Sequence, residues 1–451
     1  MGRENKLRTV CRWGATAAVI ILMLAVGGIA RAQNGIAGVA ANQPGATLLL
    51  PYFEVNLDNL NASNTIMSVT NASATAILNH VIIWTDLGVP AIEFNVYLTG
   101  YDLWRMNIGS FLTTGIMDRT ASAGQDPTDT ISPKGQLSQD INFASCTGNL
   151  PNGPIPALQL QGLQNALIGQ ASVNYGPNLC GGINHGDRIA RGYITVDTVN
   201  NCTLRFPSDP AYLTTDVTFQ NVLFGDSFYI SVTKNRAVSL PLVALLADPI
   251  DPATSTAGRY TFYGRYDAWN AIDHRQPTAT NFGGRYENGT SLQGLNFMNQ
   301  GSQVIVWRDS KTNQGPFTCG TTPSWYPLGQ EQIVLFDQQE HPQVPPSCNN
   351  LPCPVNPALL PFPAATQKVQ FNSPAIPTTF AEGWTYLDLN TTIAGNPNPP
   401  FDPAAAQAWT ILLFDQGAGS GGNNNSSSWE MGEPATLFDS AENANHSAPI
   451  P

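Results

Sequence analysis

The chain has 451 residues, enough to bury a sizeable core, and only 12% of them are charged, about half the ~25% of ordinary soluble domains. Its 40 glycines, 35 prolines and 9% aromatics favour turns and strands and argue against a helical cytosolic protein. The net charge is −12; the first 32 residues carry Arg3, Lys6, Arg8, Arg12 and Arg31 against Glu4, so the remainder stands at −16 with 15 basic residues, which argues against a nucleic-acid partner.

Residues 1–32 have the layout of a signal peptide. A basic segment, MGRENKLRTVCRW, precedes an apolar run from about Ala15 to Ile29, and Ala30-Arg31-Ala32 places small residues where a signal peptidase cuts. The apolar run falls short of the ~20 residues that span a bilayer. Cys11 precedes it, which is the wrong side for a lipid-anchored cysteine. The expectation is a secreted, periplasmic or extracellular protein without a transmembrane anchor, beginning near Gln33 with a flexible lead over residues 33–43.

From Thr47 to Asp102 the strand signal is at its densest. Ile92, Phe94, Val96 and Leu98 alternate with Glu93, Asn95, Tyr97 and Thr99, the period of a half-buried strand. The run Ile77 to Trp84 is polar at Asn79 and His80, then apolar on both faces, as in a strand entering the core. Thr47 to Val55 and Thr65 to Thr70 are rich in β-branched and aromatic residues. The connectors LDNLNASN, TNASAT and TDLGVP carry turn chemistry. The expected fold is therefore all-β: one or two antiparallel β-sandwich (immunoglobulin-like) domains with short helices and long loops.

The stretches LLLPYFEV, WTDLGVP and VYLTGYD resemble a group of uncharacterised secreted bacterial β-rich proteins, and the resemblance continues in NVLFGDSFYI, FYGRYD, VIVWRDS and EGWTYLDL. It implies export and a folded chain. The group has no assigned activity, so the resemblance brings no catalytic residue.

Further along, Tyr101 to Leu112 suits either a strand or a short helix. Residues 113–145 form a long polar loop with Asp118, Asp126, Asp129 and Asp140. Its oxygens make Asp126 and Asp129 candidate calcium ligands, but no EF-hand spacing occurs and a solvated loop is the leading interpretation. Ala157 to Ile168 has Leu160, Leu163 and Leu167 on one helical face after Pro156. Strand signal returns at Arg188 to Val199, at Val217 to Thr233 and in the apolar run Leu240 to Ala247. The Pro- and Asp-rich segment Asp248 to Gly258 suggests a boundary between an N-terminal sandwich (44–250) and a second β-rich domain (251–416). In the latter, Tyr260 to Asn281 mixes aromatic and basic residues. Gln303 to Trp307, Gln332 to Phe336, Val369 to Asn372, Trp384 to Leu389 and Trp409 to Phe414 have strand character. Residues 417–451, rich in Gly, Asn and Ser and then acidic, have the composition of a disordered tail.

Six cysteines follow the signal: Cys146, Cys180, Cys202, Cys319, Cys348 and Cys353. An even number in an exported chain points to disulfides, and no C-x-x-C or histidine spacing suggests a metal cluster. Three lie in each half, so complete oxidation requires a bridge across the suggested boundary.

No H-E-x-x-H, H-x-H, G-x-S-x-G or P-loop is present, and no cofactor is implied. Gly225-Asp226-Ser227 resembles the start of the GDSL hydrolase signature, but Phe228 replaces the Leu and no D-x-x-H follows. Ser227 with His274 and Asp273 is the catalytic alternative, and a strand-opening turn is the plainer one. Asp86, Glu93 and Asp102 are close enough in sequence to be considered as paired carboxylates, although turns explain both aspartates. Trp325-Tyr326, in a Pro-flanked loop, is the best candidate for an exposed aromatic binding surface. The leading functional expectation is a non-enzymatic structural or surface-interaction protein whose partners are surface glycans or other cell-surface proteins. A carbohydrate-binding module and an esterase-like hydrolase using Ser227 are the alternatives.

Overall fold

The structure is a computed structural model. It describes residues 43–120, 143–146, 148–150, 152–247, 262, 263, 266, 273–275, 278–288, 301–310, 315–323, 325–328, 332–343, 361–389, 406–416 and 429–440. In chain order the strands of the first half are β1 (Thr47–Asn56), β2 (Asn64–Asn71), β3 (Ile77–Thr85), β4 (Pro90–Leu98), β5 (Leu103–Asn107), β6 (Leu179–Cys180), β7 (Ile189–Val199), β8 (Leu223–Ser231), β9 (Arg236–Pro241) and β10 (Val243–Leu245). Those of the second half are β11 (Ala279–Glu287), β12 (Ser302–Ser310), β13 (Phe317–Thr318), β14 (Gln332–Asp337), β15 (Pro342–Gln343), β16 (Thr366–Gln370), β17 (Glu382–Asp388), β18 (Ala406–Gln416), β19 (Trp429–Pro434) and β20 (Thr436–Ser440). Helices Ile108–Thr114 and Ala157–Leu167 are short. The fold is all-β, antiparallel and sandwich-like.

One sheet, in the order β10-β1-β7-β3-β4, is a central layer. All nine residues of β3 are buried, so the run apolar on both faces, Val81 to Trp84, occupies a strand covered from both sides. On one side β1 packs against β2 and β8 of the sheet β5-β2-β8-β9; on the other it meets β12 and β16 of the sheet β16-β12-β18-β19. The remaining large sheet, β15-β14-β17-β11-β20, packs through β11 onto β18. In β1, Pro51 has no N–H to give the ladder, and the register shifts between Leu50 and Phe53. Gly192 on β7 faces this irregularity; a Cβ there would overlap the Trp84 carbonyl oxygen and press on the Phe53 ring.

Apolar side chains of both halves form one continuous cluster. A chain of rings crosses it: Trp84 stacks on Tyr193 (5.6 Å), Tyr193 meets Trp307 edge-on (5.9 Å), and Trp307 stacks on Phe262 (6.0 Å). Thr366 Oγ1 donates to the Pro51 carbonyl, and Lys368 pairs with Glu54 at 2.6 Å. The Asp248 to Gly258 segment lies outside the described residues, and the halves on either side of it share this core.

Phe94, Val96 and Leu98 are buried, in the register that the alternation implies. Asn95, Tyr97 and Thr99 are buried as well, because β4 is covered on its second face; Asn95 exchanges hydrogen bonds with the Thr203 backbone. Tyr101 to Leu112 resolves into both of its alternatives, β5 followed by a helix that Asn107 caps by accepting from the Ser110 N–H. The helix expected at Ala157 forms, and Leu163 and Leu167 point into the core. The run Leu240 to Ala247 is not one strand: the chain leaves β9 at Pro241 and changes sheets to become β10. In the C-terminal segment, composition suggests disorder, yet β19 pairs with β18 and β20 with β11.

Candidate functional site

The turn that closes β3 begins the site. Thr85 accepts from Val89 N–H through Oγ1 and donates from the same oxygen to the Gly181 carbonyl (2.6 Å), which fixes the 180s loop against the turn. Asp86, almost fully buried, then receives the Ile183 N–H on Oδ1 (3.0 Å) and pairs with His185 Nε2 on Oδ2 (2.9 Å). Its carbonyl receives the Thr366 N–H from the second half of the chain (3.0 Å). Gly182 must be small here, since a Cβ would crowd Asp86 Oδ1.

The opposite wall comes from the second half. β13 pairs with β6, Phe317 against Cys180 and Thr318 against Leu179, and the Cys319 N–H donates to the Asn178 carbonyl. A disulfide joins Cys180 to Cys319 with the Cα atoms 5.1 Å apart. Between these walls lies a half-open cleft of about 200 Å³, lined by Leu87, Ile183, Asn184, Phe317, Thr322 and Tyr326 among others. Gly169, also at the cleft, has φ +71°, and a Cβ there would overlap the Ile183 carbonyl group, so no other residue fits. Trp325 stands edge-on to Phe317 (6.0 Å) behind this wall, and its buried Nε1 has no hydrogen-bond partner among the described residues. Burial, with a smaller contribution from the Asp86 charge, pushes the Tyr326 hydroxyl above its ordinary range, which keeps it a neutral donor.

The other concentration of charge is fully interior. Arg275 donates from Nη1 to Asp197 Oδ1 (2.5 Å) and Thr47 Oγ1 (2.6 Å), and from Nε to Asp273 Oδ1 (2.7 Å). Tyr212 and Tyr263 donate to Asp197 Oδ2 at 2.6 and 2.9 Å. The guanidinium also lies over the Tyr263 ring, 4.6 Å from its centroid. Burial opposes the charge on Arg275, but the Asp273 and Asp197 carboxylates outweigh it and hold the side chain cationic. Burial first, then the Asp197 charge, raises both tyrosines. Both carboxylates are committed to these partners, so the network joins strands and the aromatic–basic segment instead of presenting a reactive group.

The expected site residues fall as follows. Tyr326 lines the cleft, and Trp325 does not line it but packs on Phe317 behind its wall. Ser227 is 2% exposed on β8, where its Oγ donates to the Leu240 carbonyl (3.1 Å) and makes no hydrogen bond to His274 or Asp273. Asp273 serves Arg275 and the Tyr263 N–H, and the His274 ring packs on Phe219 (4.7 Å). Asp102 accepts from the Leu103 N–H, the turn role that its context suggests. Cys146 pairs with Cys202, and Cys180 with Cys319 across the suggested boundary. Cys348, Cys353, Asp126 and Asp129 lie outside the described residues. Among the described residues no group of three His, Cys, Asp or Glu side chains is placed to hold a metal, and no helix is long and apolar enough to cross a membrane. His185 and Phe317 carry no local signal, because their partners Asp86 and Cys180 are far away in the chain. The one available signal was Asp86 in the WTDLGVP stretch.

No protein-family model matches the chain, and no curated protein or solved structure matches it.

Proposed function

We propose that the chain is an exported bacterial interaction protein without enzymatic activity, and that the cleft beside Cys180–Cys319 is its recognition site. The observation that carries this reading is the construction of the cleft. Two segments far apart in sequence are locked by a disulfide and a short strand pair, and they present the Phe317 and Tyr326 rings beside the Asn184 and Thr322 side chains. A rigid, mostly apolar concavity with a few polar groups is the usual form of a ligand site. The disulfides and the signal-like N-terminus support export into an oxidising compartment.

A glycan is the favoured ligand. Aromatic rings offer a flat apolar surface to a sugar, and the amide and hydroxyl groups at the rim can bond its hydroxyls. The volume of about 200 Å³ is below the ~300–1,000 Å³ of drug-sized pockets, so a single sugar unit, such as a chain end, is the suitable size. The test is a glycan array probed with the protein and with Tyr326→Ala. Binding that is lost in the variant supports the reading; no binding at all, or binding that the variant keeps, counts against it.

A further inference from the structure

Among the described residues, the sheet β5-β2-β8-β9 covers the core with one face and leaves the other open. Along β8, Leu223, Gly225, Ser227 and Tyr229 are buried while Phe224, Asp226 and Phe228 are exposed. Phe224 is 45%, Phe228 38% and Leu103 52% exposed, a concentration of apolar surface on one sheet face. The ladder registers order this face into rows. Leu103, Thr70 and Phe224 form one row, Arg105, Ser68 and Asp226 the next, and Asn107, Ile66 and Phe228 the third. Arg105 and Asp226 are thus at the same height, on either side of the central strand β2. Neither has an ion-pair partner among the described residues.

We propose that this face is a self-association surface, on which a second copy of the chain docks through a two-fold axis running along β2. That operation exchanges the two sides of β2 and keeps the height along it. It therefore sets β5 of one copy over β8 of the other, with Arg105 opposite Asp226 of the second copy, twice per dimer. The same operation brings Leu103 over Phe224. The sheets stack with their strands roughly aligned, the common geometry of face-to-face sheets. A two-fold axis across the strands would oppose Arg105 to Arg105, so the charge arrangement selects the first axis.

The test is analytical ultracentrifugation of the full protein from about 1 μM to about 1 mM, with charge reversals at the two positions. The expected result is a concentration-dependent dimer. Arg105→Glu and Asp226→Arg should each weaken it at least ~tenfold, and the double variant should return to within ~threefold of the original. Both positions are exposed, and unchanged circular dichroism confirms that each variant is folded. A monomer at every concentration, a dimer indifferent to the single reversals, or a double variant no stronger than the singles would overturn the proposal.

Discussion

Arg275 Nη1 lies 2.5 Å from Asp197 Oδ1 with both side chains fully buried, and the pair joins β7 to the aromatic–basic segment that follows residue 260. Removing the cation alone leaves the Asp197 and Asp273 carboxyl groups fully buried without the partner they share. Arg275→Leu is therefore expected to lose about 3–5 kcal/mol of stability. Urea denaturation checks this; a loss under ~1 kcal/mol would mean that the carboxylates find other partners.

Glu54 on β1 and Lys368 on β16 make another link between the halves, 2.6 Å apart. Burial pushes the Glu54 carboxyl up, but Lys368, with hydrogen bonds from Ser63 and Tyr52, outweighs burial and brings it to about 2. The folded value lies below the unfolded ~4.3, so this contribution is present above the unfolded value and is lost as pH falls through the folded one. Stability measured between pH ~5 and ~2 should decline in the wild type, and Lys368→Met should flatten that decline while lowering stability at neutral pH.

Glu93 on the edge strand β4 behaves oppositely. Burial raises its carboxyl to about 7. The folded value is above the unfolded ~4.3, so its contribution is complete below the unfolded value and is lost as pH rises through the folded one. Glu93→Gln should remove the loss of stability between pH ~4.5 and ~7, and an unchanged pH profile would contradict this assignment.

The two disulfides should differ in weight. Cys180–Cys319 spans 139 positions and Cys146–Cys202 spans 56. On loop-closure entropy, opening the longer one costs roughly 1 kcal/mol more, within a total of about 2–5 kcal/mol for each bridge. Paired Cys→Ala variants in a denaturation series measure the difference, and a non-reducing digest should yield both linked peptides.

Local pattern carried the strands well and their environment poorly. The alternation at 92–99 marks Phe94, Val96 and Leu98 as buried, but it has no means of indicating that the segments carrying Thr203 and Phe143 also cover Asn95 and Tyr97. On β8 the same periodicity separates Phe228 from Tyr229 without saying which faces in. The structure buries Tyr229, whose hydroxyl reaches the Tyr52 carbonyl at 2.7 Å, and turns Phe224 and Phe228 outward. Strands β19 and β20 lie in a stretch whose composition suggests disorder; they take their order from the hydrogen-bonding edges of β18 and β11. The cleft depends on contacts such as Asp86 with His185, 99 positions apart, and spacing along the chain does not encode these. The cysteine count is the one long-range signal: with three in each half, complete oxidation would require a crossing bridge, and Cys180–Cys319 crosses.

The most direct measurement of the recognition claim is calorimetric titration of a glycan identified on the array into the wild type, Tyr326→Ala and Ser227→Ala, with the ligand recovered afterwards. The expected result is a dissociation constant at least ~tenfold weaker in Tyr326→Ala, unchanged in Ser227→Ala, with the glycan recovered intact. Equal affinity in Tyr326→Ala, or a ligand cleaved by the wild type and spared by Ser227→Ala, would contradict it.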